Sequence, residues 1–364
     1  MRLPRKLFAR VDWPLALCIL LILAMGIVYV ESAKEDTWDR QLAVIFVGIL
    51  GFLAAFAVNY TRLLRYVWSI YGALLFVLVG LLFMKTTVKG THAWITLPGG
   101  FSLQPSEFMK IVLIMALASH LPRNDNYRRL AGLAGPLVLT VVPMALVVVQ
   151  PDLGTALIFP PLLFAMLFVA GARVKHLALI AFLGALALVP MWYMAPSYQR
   201  KRVEAFVHPE RYRLHEAYQL VRSKVAIGSG GVAGKGLHKG LQHQLGLPEK
   251  HTDFIFAVIC EEGGFLQGGL LLVLYFALCA TGISTAEQIR DPAGRLIAVG
   301  VATLFASQVF VNVAVTLGMM PTTGVTLPMV SYGGSSMLCS MMALGLLFNV
   351  RANPPDVLAA DRFS

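Results

Sequence analysis

The stretch GLPEKHTDFIFAVICEEGG, Gly246–Gly264, leads from polar residues directly into an apolar run of the kind that crosses membranes. Asp253, Glu261 and Glu262 lie around the start of that run. Charged groups at a membrane boundary are costly to desolvate, so their presence there needs a structural or a chemical reason. The stretch therefore predicts a membrane helix with acidic groups at its entrance.

Composition extends this conclusion to the whole chain. Of the 364 residues, 57% are hydrophobic and 13% are charged, and the mean hydropathy is +0.72. A soluble domain carries about 25% charged residues. Many apolar runs also approach the roughly 20 residues that a helix needs to cross the hydrocarbon core. The sequence therefore predicts an all-α polytopic integral membrane protein, with no organic cofactor and no nucleic-acid partner.

We predict about ten transmembrane helices in a single domain over residues 1–364. A large outer loop at 195–261 separates the seventh and eighth spans, and a smaller outer loop at 85–106 separates the third and fourth. The smaller loop contains TLPGGFSLQPSEFMK, which is too polar to cross and too apolar for a free loop, so a re-entrant or interfacial segment is expected. The predicted spans are Trp13–Val30, Leu42–Val58, Tyr66–Met84, Glu107–Leu121, Leu130–Val149, Leu153–Ala170, His176–Met194, Glu262–Gly282, Leu296–Leu317 and Ser331–Val350.

The distribution of basic residues predicts the orientation. One set of short loops carries many Arg and Lys residues, whereas the other set carries few. We therefore expect both termini in the cytoplasm and the protein in the cytoplasmic membrane. The net charge of +11 mostly reflects this asymmetry and a basic outer loop. The basic residues expected on the cytoplasmic side are Arg2, Arg5, Lys6, Arg10, Arg62, Arg65, Arg123, Arg128, Arg129, Arg173, Lys175, Arg290, Arg295 and Arg351.

Cysteine and histidine show no metal-site pattern. The cysteines lie in or beside apolar runs without paired spacing, so they are interpreted as small buried hydrophobes. Histidines crowd into the large outer loop, but none has a recognised zinc spacing. We therefore predict no structural metal site. The cysteines are Cys18, Cys260, Cys279 and Cys339.

Three ionisable residues interrupt or border other apolar runs. Glu107 and Lys110 lie three residues apart and share a helix face. They are either a mutually neutralised pair or the lining of a polar cavity in which Lys110 attracts an anion, and a lysine near a helix end can also snorkel. Asp152, beside Pro151, is either the cap of the sixth span or a functional acid.

The large outer loop is strongly basic. Its Gly-rich end fails the phosphate-loop pattern, because Ser229 stands at the first glycine position and Gly236 follows Lys235. Arg side chains and backbone N–H groups suit an anionic headgroup such as a lipid pyrophosphate. Attraction to an anionic lipid surface is the alternative. The basic residues of this loop include Arg200, Lys201, Arg202, Arg211, Arg213, Arg222, Lys224 and Lys235.

Asp253 lies just outside the eighth predicted span, at the mouth of any cavity beneath the basic loop. A solvated carboxylate there is ionised near neutral pH and can accept a proton. Capping is the alternative role for Asp253. Glu261 and Glu262 are interpreted as acids at the N-terminus of the eighth helix, where the helix dipole favours them.

Five polar motifs occur in one order along these apolar spans. On them the chain resembles the shape, elongation, division and sporulation (SEDS) family of polytopic peptidoglycan glycosyltransferases. Within the family it is more similar to the elongation branch, RodA, than to the division branch, FtsW, in its compact N-terminus and in GLQHQLGLPEKHTDF. The motifs are QPSEFMK at 104–110, QPDLGTA at 150–156, AIGSGGVAGKG at 226–236, LPEKHTDFIFAVICEEGG at 247–264 and PTTGVTLPMVSYGGSS at 321–336.

The resemblance implies polymerisation of lipid II into glycan strands on the outer face of the membrane, for cell elongation and rod shape. It implies that Asp253 is the general base and that undecaprenyl pyrophosphate is the leaving group. It also implies that the transfer inverts the configuration at the anomeric carbon. A divalent cation, Mg²⁺ or Mn²⁺, beside the pyrophosphate is expected from the family. The residues expected to bind substrate are Gln104, Ser106, Glu107, Lys110, Asp152, Arg222, Lys224, Lys235, His251, Thr252, Ser331, Gly333, Gly334 and Ser335.

The resemblance also implies partners. These are lipid II, the nascent glycan strand, a class B penicillin-binding transpeptidase, other elongation-complex proteins and membrane lipid. The sequence departs from the family in GTHAW, where Ala93 replaces the usual Arg before Trp94. Either Lys85, Lys89 or His92 takes over that anion contact, or the loop works differently. A lipid II flippase and an inactive scaffold remain alternatives, although no inverted repeat is visible in the sequence.

Overall fold

The computed structural model describes residues 13–34, 38–84, 93–96, 102–123, 128–194, 196–212, 217–240 and 251–353. These residues form α-helices, two short 3₁₀ helices at Leu121–Arg123 and Leu130–Leu133, and one antiparallel pair of two-residue strands. The helices are α1 Trp13–Ala33, α2 Trp38–Ala57, α3 Tyr60–Leu82, α4 Pro105–His120, α5 Ala134–Val149, α6 Leu153–Ala156, α7 Phe159–Val169, α8 Val174–Met194, α9 Ser197–Val207, α10 Tyr218–Gly230, α11 Ile255–Gln288, α12 Pro292–Thr316 and α13 Gly334–Ala352; the strands are β1 Ile95–Thr96 and β2 Ser102–Leu103.

The helices confirm a polytopic all-helical membrane protein. Within the described part of the chain, seven helical segments are long and apolar enough to cross a membrane: α1, α2, α3, Leu130–Val149, α11, α12 and α13. Leu153–Val169 and Val174–Pro190 are shorter apolar segments. Together with α4, these segments correspond one to one to the predicted spans.

Helix ends differ from the predicted ones by several residues in many spans, and two of these differences affect the interpretation of the sequence. The sixth span is divided into α6 and α7, because Pro160 and Pro161 belong to the first turn of a helix rather than its interior. The eighth helix begins at Ile255, so Glu261 and Glu262 lie inside α11. The interpretation of these two acids as N-terminal residues is therefore wrong, because the apolar residues before them already form two helical turns.

Helix α4 lies at the centre of the bundle. Every residue from Met109 to Ser119 is buried, and α3, α5, α7, α12 and α13 pack around it. Its 16 residues span about 24 Å at 1.5 Å per residue. The hydrocarbon core is about 30 Å thick. Because protein surrounds α4, its length does not have to match the lipid.

Close approach of α2 and α13 fixes the start of the last helix. A Cβ atom at Gly51 would lie 2.3 Å from Leu338 Cδ1, and one at Gly345 would lie 2.4 Å from the Phe52 carbonyl oxygen. At the far end, Asn349 Nδ2 donates to the Phe56 carbonyl at 2.6 Å. These contacts hold α13 along its length, and with it the residues at its N-terminus.

Candidate active site

The segment before α11 is held by the connection between α12 and α13. Tyr332 N donates to the His251 carbonyl at 2.9 Å, and Ser331 Oγ donates to the Thr252 carbonyl at 2.6 Å. Ser331 Oγ also accepts from Leu327 N at 2.8 Å. The structure therefore brings His251 and Thr252, from one motif, together with Ser331 from another.

The main chain of Asp253 is also held by hydrogen bonds from this region. Its carbonyl accepts from Asn312 Nδ2 at 2.9 Å, and the same nitrogen donates to the Val325 carbonyl at 2.7 Å. A Cβ atom at Gly324 would lie 3.7 Å from Asp253 Oδ2, so the carboxylate rests against the loop between α12 and α13. Asp253 itself is half-buried at the entrance to α11. The structure thus fixes its main chain while leaving part of the residue accessible.

A second polar group is built around Asp152. Its Oδ1 accepts from Thr155 N at 3.1 Å, which caps α6. Its Oδ2 accepts from Gln104 Nε2 at 2.6 Å and from Ser106 Oγ at 3.2 Å. Asp152 therefore caps a helix, which is one of the two roles considered from the sequence, and it also accepts hydrogen bonds from the Gln104–Ser106 motif.

Ser335 connects this group to α13. Gln104 N donates to Ser335 Oγ at 2.9 Å, and Ser335 Oγ donates to the Ser102 carbonyl at 3.0 Å. Gly333 is the N-cap of α13, and Gly334 is its first residue. The last helix, β2 and the start of α4 thus meet at one hydroxyl group.

One loop, residues 321–328, lies between the two groups. A Cβ atom at Gly154 would lie 2.4 Å from the Thr323 carbonyl oxygen, so α6 touches the loop closely on the Asp152 side. The next residue, Gly324, faces Asp253, and Thr326 Oγ1 donates to Ser336 Oγ at 2.7 Å. The loop therefore contacts the motifs that carry Asp152 and Asp253, and it belongs to the motif that carries Ser335.

The pair Glu107–Lys110 lies within α4, beyond this group. Lys110 Nζ is 2.7 Å from Glu107 Oε1, and the two side chains are 2% and 9% exposed. The structure thus shows the mutually neutralised pair. The substrate contact expected for Lys110 stays a prediction.

Arg222 and Lys224 lie on α10, which is held against the end of α12. Ser223 Oγ donates to the Thr316 carbonyl at 2.6 Å. Lys224 covers Gly318, where a Cβ atom would lie 1.8 Å from Lys224 Cε. The Arg222 guanidinium lies 5.2 Å from the centre of the Tyr218 ring. These contacts place two predicted anion-binding residues on one ordered helix.

Lys235 has a different setting from Arg222 and Lys224. Its Nζ lies 2.7 Å from Glu261 Oε1 and 2.6 Å from Ser229 Oγ. Glu262, the neighbouring acid, accepts from Ser32 Oγ at 2.6 Å. The structure therefore pairs Lys235 with a buried acid of α11.

A break in α11 explains the position of these acids. Gly264 has φ +69°, which interrupts the helix and separates backbone groups from their usual partners. The glycine-rich segment after α10 supplies new partners. Lys235 N and Gly236 N donate to the carbonyls of Glu261 and Glu262 at 3.0 and 2.9 Å, and Phe265 N donates to the Gly231 carbonyl at 2.9 Å. The segment AIGSGGVAGKG thus supplies hydrogen-bond partners to backbone groups on both sides of the break.

Comparisons with known proteins identify the family to which the chain belongs. The model of the family of FtsW, RodA and SpoVE, described as cell cycle protein, matches residues 6–354. The chain belongs to this family. It is similar to a protein named probable peptidoglycan glycosyltransferase FtsW from Trichlorobacter lovleyi, with 38% identity over 97% of this chain and 96% of that protein. It is also 35% identical to stage V sporulation protein E of Bacillus subtilis, over 93% of this chain and 96% of that protein.

Solved structures of SEDS proteins have the same fold. A peptidoglycan synthase complex that coordinates polymerisation and crosslinking contains a chain that matches with a TM-score of 0.83, at 33% identity, over 95% of this chain and 99% of that chain. The rod shape determining protein RodA of Thermus thermophilus matches with a TM-score of 0.72, at 32% identity, over 94% and 97%. The protein is a peptidoglycan glycosyltransferase of the SEDS family.

The loop before α4 and the metal expectation complete the description of the site. Ala93, at the position where the resemblance led us to expect an Arg, is buried directly before Trp94 and β1. Lys85, Lys89 and His92, the residues considered as its replacement, lie outside the described residues. In the described ranges, no three His, Cys, Asp or Glu side chains come together in a way that would hold a metal ion.

Asn312 belongs to the site but to none of the five sequence motifs. It stands alone among apolar residues in FVNVAV and matches no motif spacing. The available signal was its polarity, because a buried amide within a membrane helix needs hydrogen-bond partners.

Proposed function

We propose that this SEDS glycosyltransferase polymerises lipid II on the outer face of the cytoplasmic membrane, with Asp253 as the general base. The observation that carries the proposal is the fixed main chain of Asp253, since the carbonyls of residues 251–253 each accept one hydrogen bond from the α12–α13 region. A general base must be held in position relative to the proton it accepts.

The proposed reaction is an inverting glycosyl transfer. The acceptor sugar's 4-hydroxyl oxygen bonds to the anomeric carbon of the donor chain, and its proton passes to Asp253. The bond between the anomeric carbon and the phosphate oxygen breaks, and undecaprenyl pyrophosphate leaves with the electron pair. Arg222 and Lys224, ordered on α10, supply positive charge for that anion.

The polar group around Asp152 is proposed to bind the substrate headgroup. Gln104, Ser106 and Ser335 offer amide and hydroxyl groups that can exchange their present partners for sugar hydroxyls. A divalent cation would be held by one or two carboxylates and by the pyrophosphate oxygens rather than by a protein cage. Asp253 and Asp152 are the acids that could contribute to it.

The cellular role is proposed to be septal synthesis during division, with elongation as the second candidate. The elongation role was predicted from the sequence. The two curated relatives described above are an FtsW and a sporulation protein, and neither is a RodA. Depletion distinguishes the roles: loss of a division enzyme gives filaments, whereas loss of an elongation enzyme gives round cells.

A transpeptidase partner and a cytoplasmic location of both termini complete the proposal. The structurally similar synthase complex carries out crosslinking as well as polymerisation, which supports a class B penicillin-binding protein as the partner. Orientation is tested by adding a single cysteine at each terminus and labelling it from either side of the membrane.

The deciding experiment measures polymerisation of labelled lipid II by the purified complex with its transpeptidase. Asp253→Asn keeps the shape of the side chain and removes the base. Asp39→Asn, at an exposed acid in the first turn of α2, is the matched control. We expect glycan strands from wild type and control and none from Asp253→Asn. Normal polymerisation by Asp253→Asn would overturn the assignment, and lipid II transport without polymer would favour a flippase.

A further inference from the structure

The side-chain amide of Asn312 joins two parts of the candidate site. Its Nδ2 uses both hydrogens, one toward the Asp253 carbonyl at 2.9 Å and one toward the Val325 carbonyl at 2.7 Å. Asn312 is only 1% exposed and belongs to the apolar part of α12. A buried amide is costly unless it is hydrogen-bonded. The two bonds satisfy the Nδ2 donor, whereas Oδ1 is buried without a hydrogen-bond partner among the described residues, so the position keeps an amide for its donor.

The bond to Asp253 is made at the entrance to α11. There Ala257 N donates to the Phe254 carbonyl at 3.0 Å, which closes the first turn of the helix. The Asp253 carbonyl lies directly before this turn and accepts from Asn312. This bond fixes the main chain from which the carboxylate extends.

The bond to Val325 fixes the surface against which that carboxylate lies. Val325 follows Gly324, whose φ of +79° allows the chain to turn beside Asp253 Oδ2. One amide group therefore sets the position of the acid and the position of the loop that it faces.

We infer that Asn312 is a positioning residue for Asp253, holding the carboxylate in place for proton transfer without touching the substrate. This inference rests on the proposed role of Asp253 as the general base. Small displacements of a catalytic group are expensive, since a shift of about 1 Å can reduce the rate by about 10²-fold.

The test replaces Asn312 by Leu, which has a similar shape and no donor. The matched control is Thr316→Val, one turn further along α12. Thr316 is fully buried, and its hydroxyl donates to the Asn312 main-chain carbonyl at 2.7 Å, so the control also removes a buried hydrogen bond from α12. Each variant is purified in complex with the transpeptidase, and its folded fraction, kcat and KM for lipid II are measured.

We expect Asn312→Leu to lower kcat by about 10²-fold per folded molecule with little change in KM, and Thr316→Val to behave as wild type. If Asn312→Leu does not fold, Asn312→Ser is measured instead, because its hydroxyl can serve only one of the two carbonyls. A normal kcat, a change confined to KM, or equal losses in variant and control would each overturn the inference. Asp253→Asn, run in parallel, separates these results from a failure of the proposed base.

Discussion

Lys235, in the glycine-rich segment, forms an ion pair with Glu261, just before the break in α11, with Nζ and Oε1 2.7 Å apart. The partners are unequal, because the Glu261 side chain is fully buried whereas the Lys235 side chain is 24% exposed. Removal of the lysine would leave a buried acid without its cation. Removal of the acid would leave a lysine that can turn toward water.

The first prediction follows from this asymmetry. Lys235→Met is expected to destabilise the protein by about 3 kcal/mol or more, in the range for breaking a buried pair, and Glu261→Gln is expected to cost less. Thermal unfolding in detergent checks the order of the two variants. The double variant should recover part of the loss, since no uncompensated charge remains. Equal shifts in Tm for the two single variants would contradict the prediction.

The second prediction concerns Gly264. At φ +69°, an added Cβ atom would lie 2.3 Å from Gly234 N and 2.4 Å from the Val232 carbonyl oxygen. Gly264→Ala should therefore separate the glycine-rich segment from α11 and lower the yield of folded protein. Gly269→Ala is the control, because a Cβ atom there meets nothing within 4 Å, and this helical substitution should stabilise the protein by about 0.5–1 kcal/mol. Fluorescence-detected size-exclusion chromatography after heating measures the folded fraction of the two variants.

The third prediction separates the two roles of Asp152. Asparagine is as good an N-cap as aspartate, so Asp152→Asn should leave Tm close to that of wild type. It should nevertheless reduce polymerisation, because the site loses a negative charge and Asn Nδ2 would face Gln104 Nε2, another donor. Asp152→Ala should lose both stability and activity. Full activity of Asp152→Asn would leave capping as the only role of this acid.

The fourth prediction concerns the pair in α4. Lys110→Met leaves Glu107 buried without its cation and should cost about 3–5 kcal/mol. Replacing both residues together, Glu107→Gln with Lys110→Met, should restore much of that stability. Tm measures the first effect, and lipid II polymerisation by the restored double variant measures whether the charges also serve the substrate. An active double variant would show that the pair is structural only.

Periodicity and length were enough to predict the membrane helices, because apolar runs of sufficient length have few alternatives in lipid. The sequence predicts a start of α11 at Glu262, later than the observed start at Ile255, because two adjacent acids resemble the boundary of an apolar run. What allows them inside the helix is distant in sequence: Lys235 pairs with one and Ser32 with the other. No local pattern predicts such partners.

The candidate site was predicted from motifs, and the structure shows why those motifs meet. Asp152 and Gln104 came from separate stretches and share a hydrogen bond. Asn312 could not be found in this way, since a single amide in an apolar helix becomes informative only when its two carbonyl partners are known. Lys235, by contrast, belonged to a matching motif and proved to be engaged with Glu261.

The 3₁₀ turn that follows α4 has a consequence for the depth of the polar group at Gln104. The turn Leu121–Arg123 continues α4 directly and adds about 6 Å, so the two together span about 30 Å. This length equals the thickness of a hydrocarbon core. The hydrogen-bonded group at Gln104 and the charge of Arg123 therefore lie one hydrocarbon thickness apart, at opposite ends of a column that is buried in protein along most of its length.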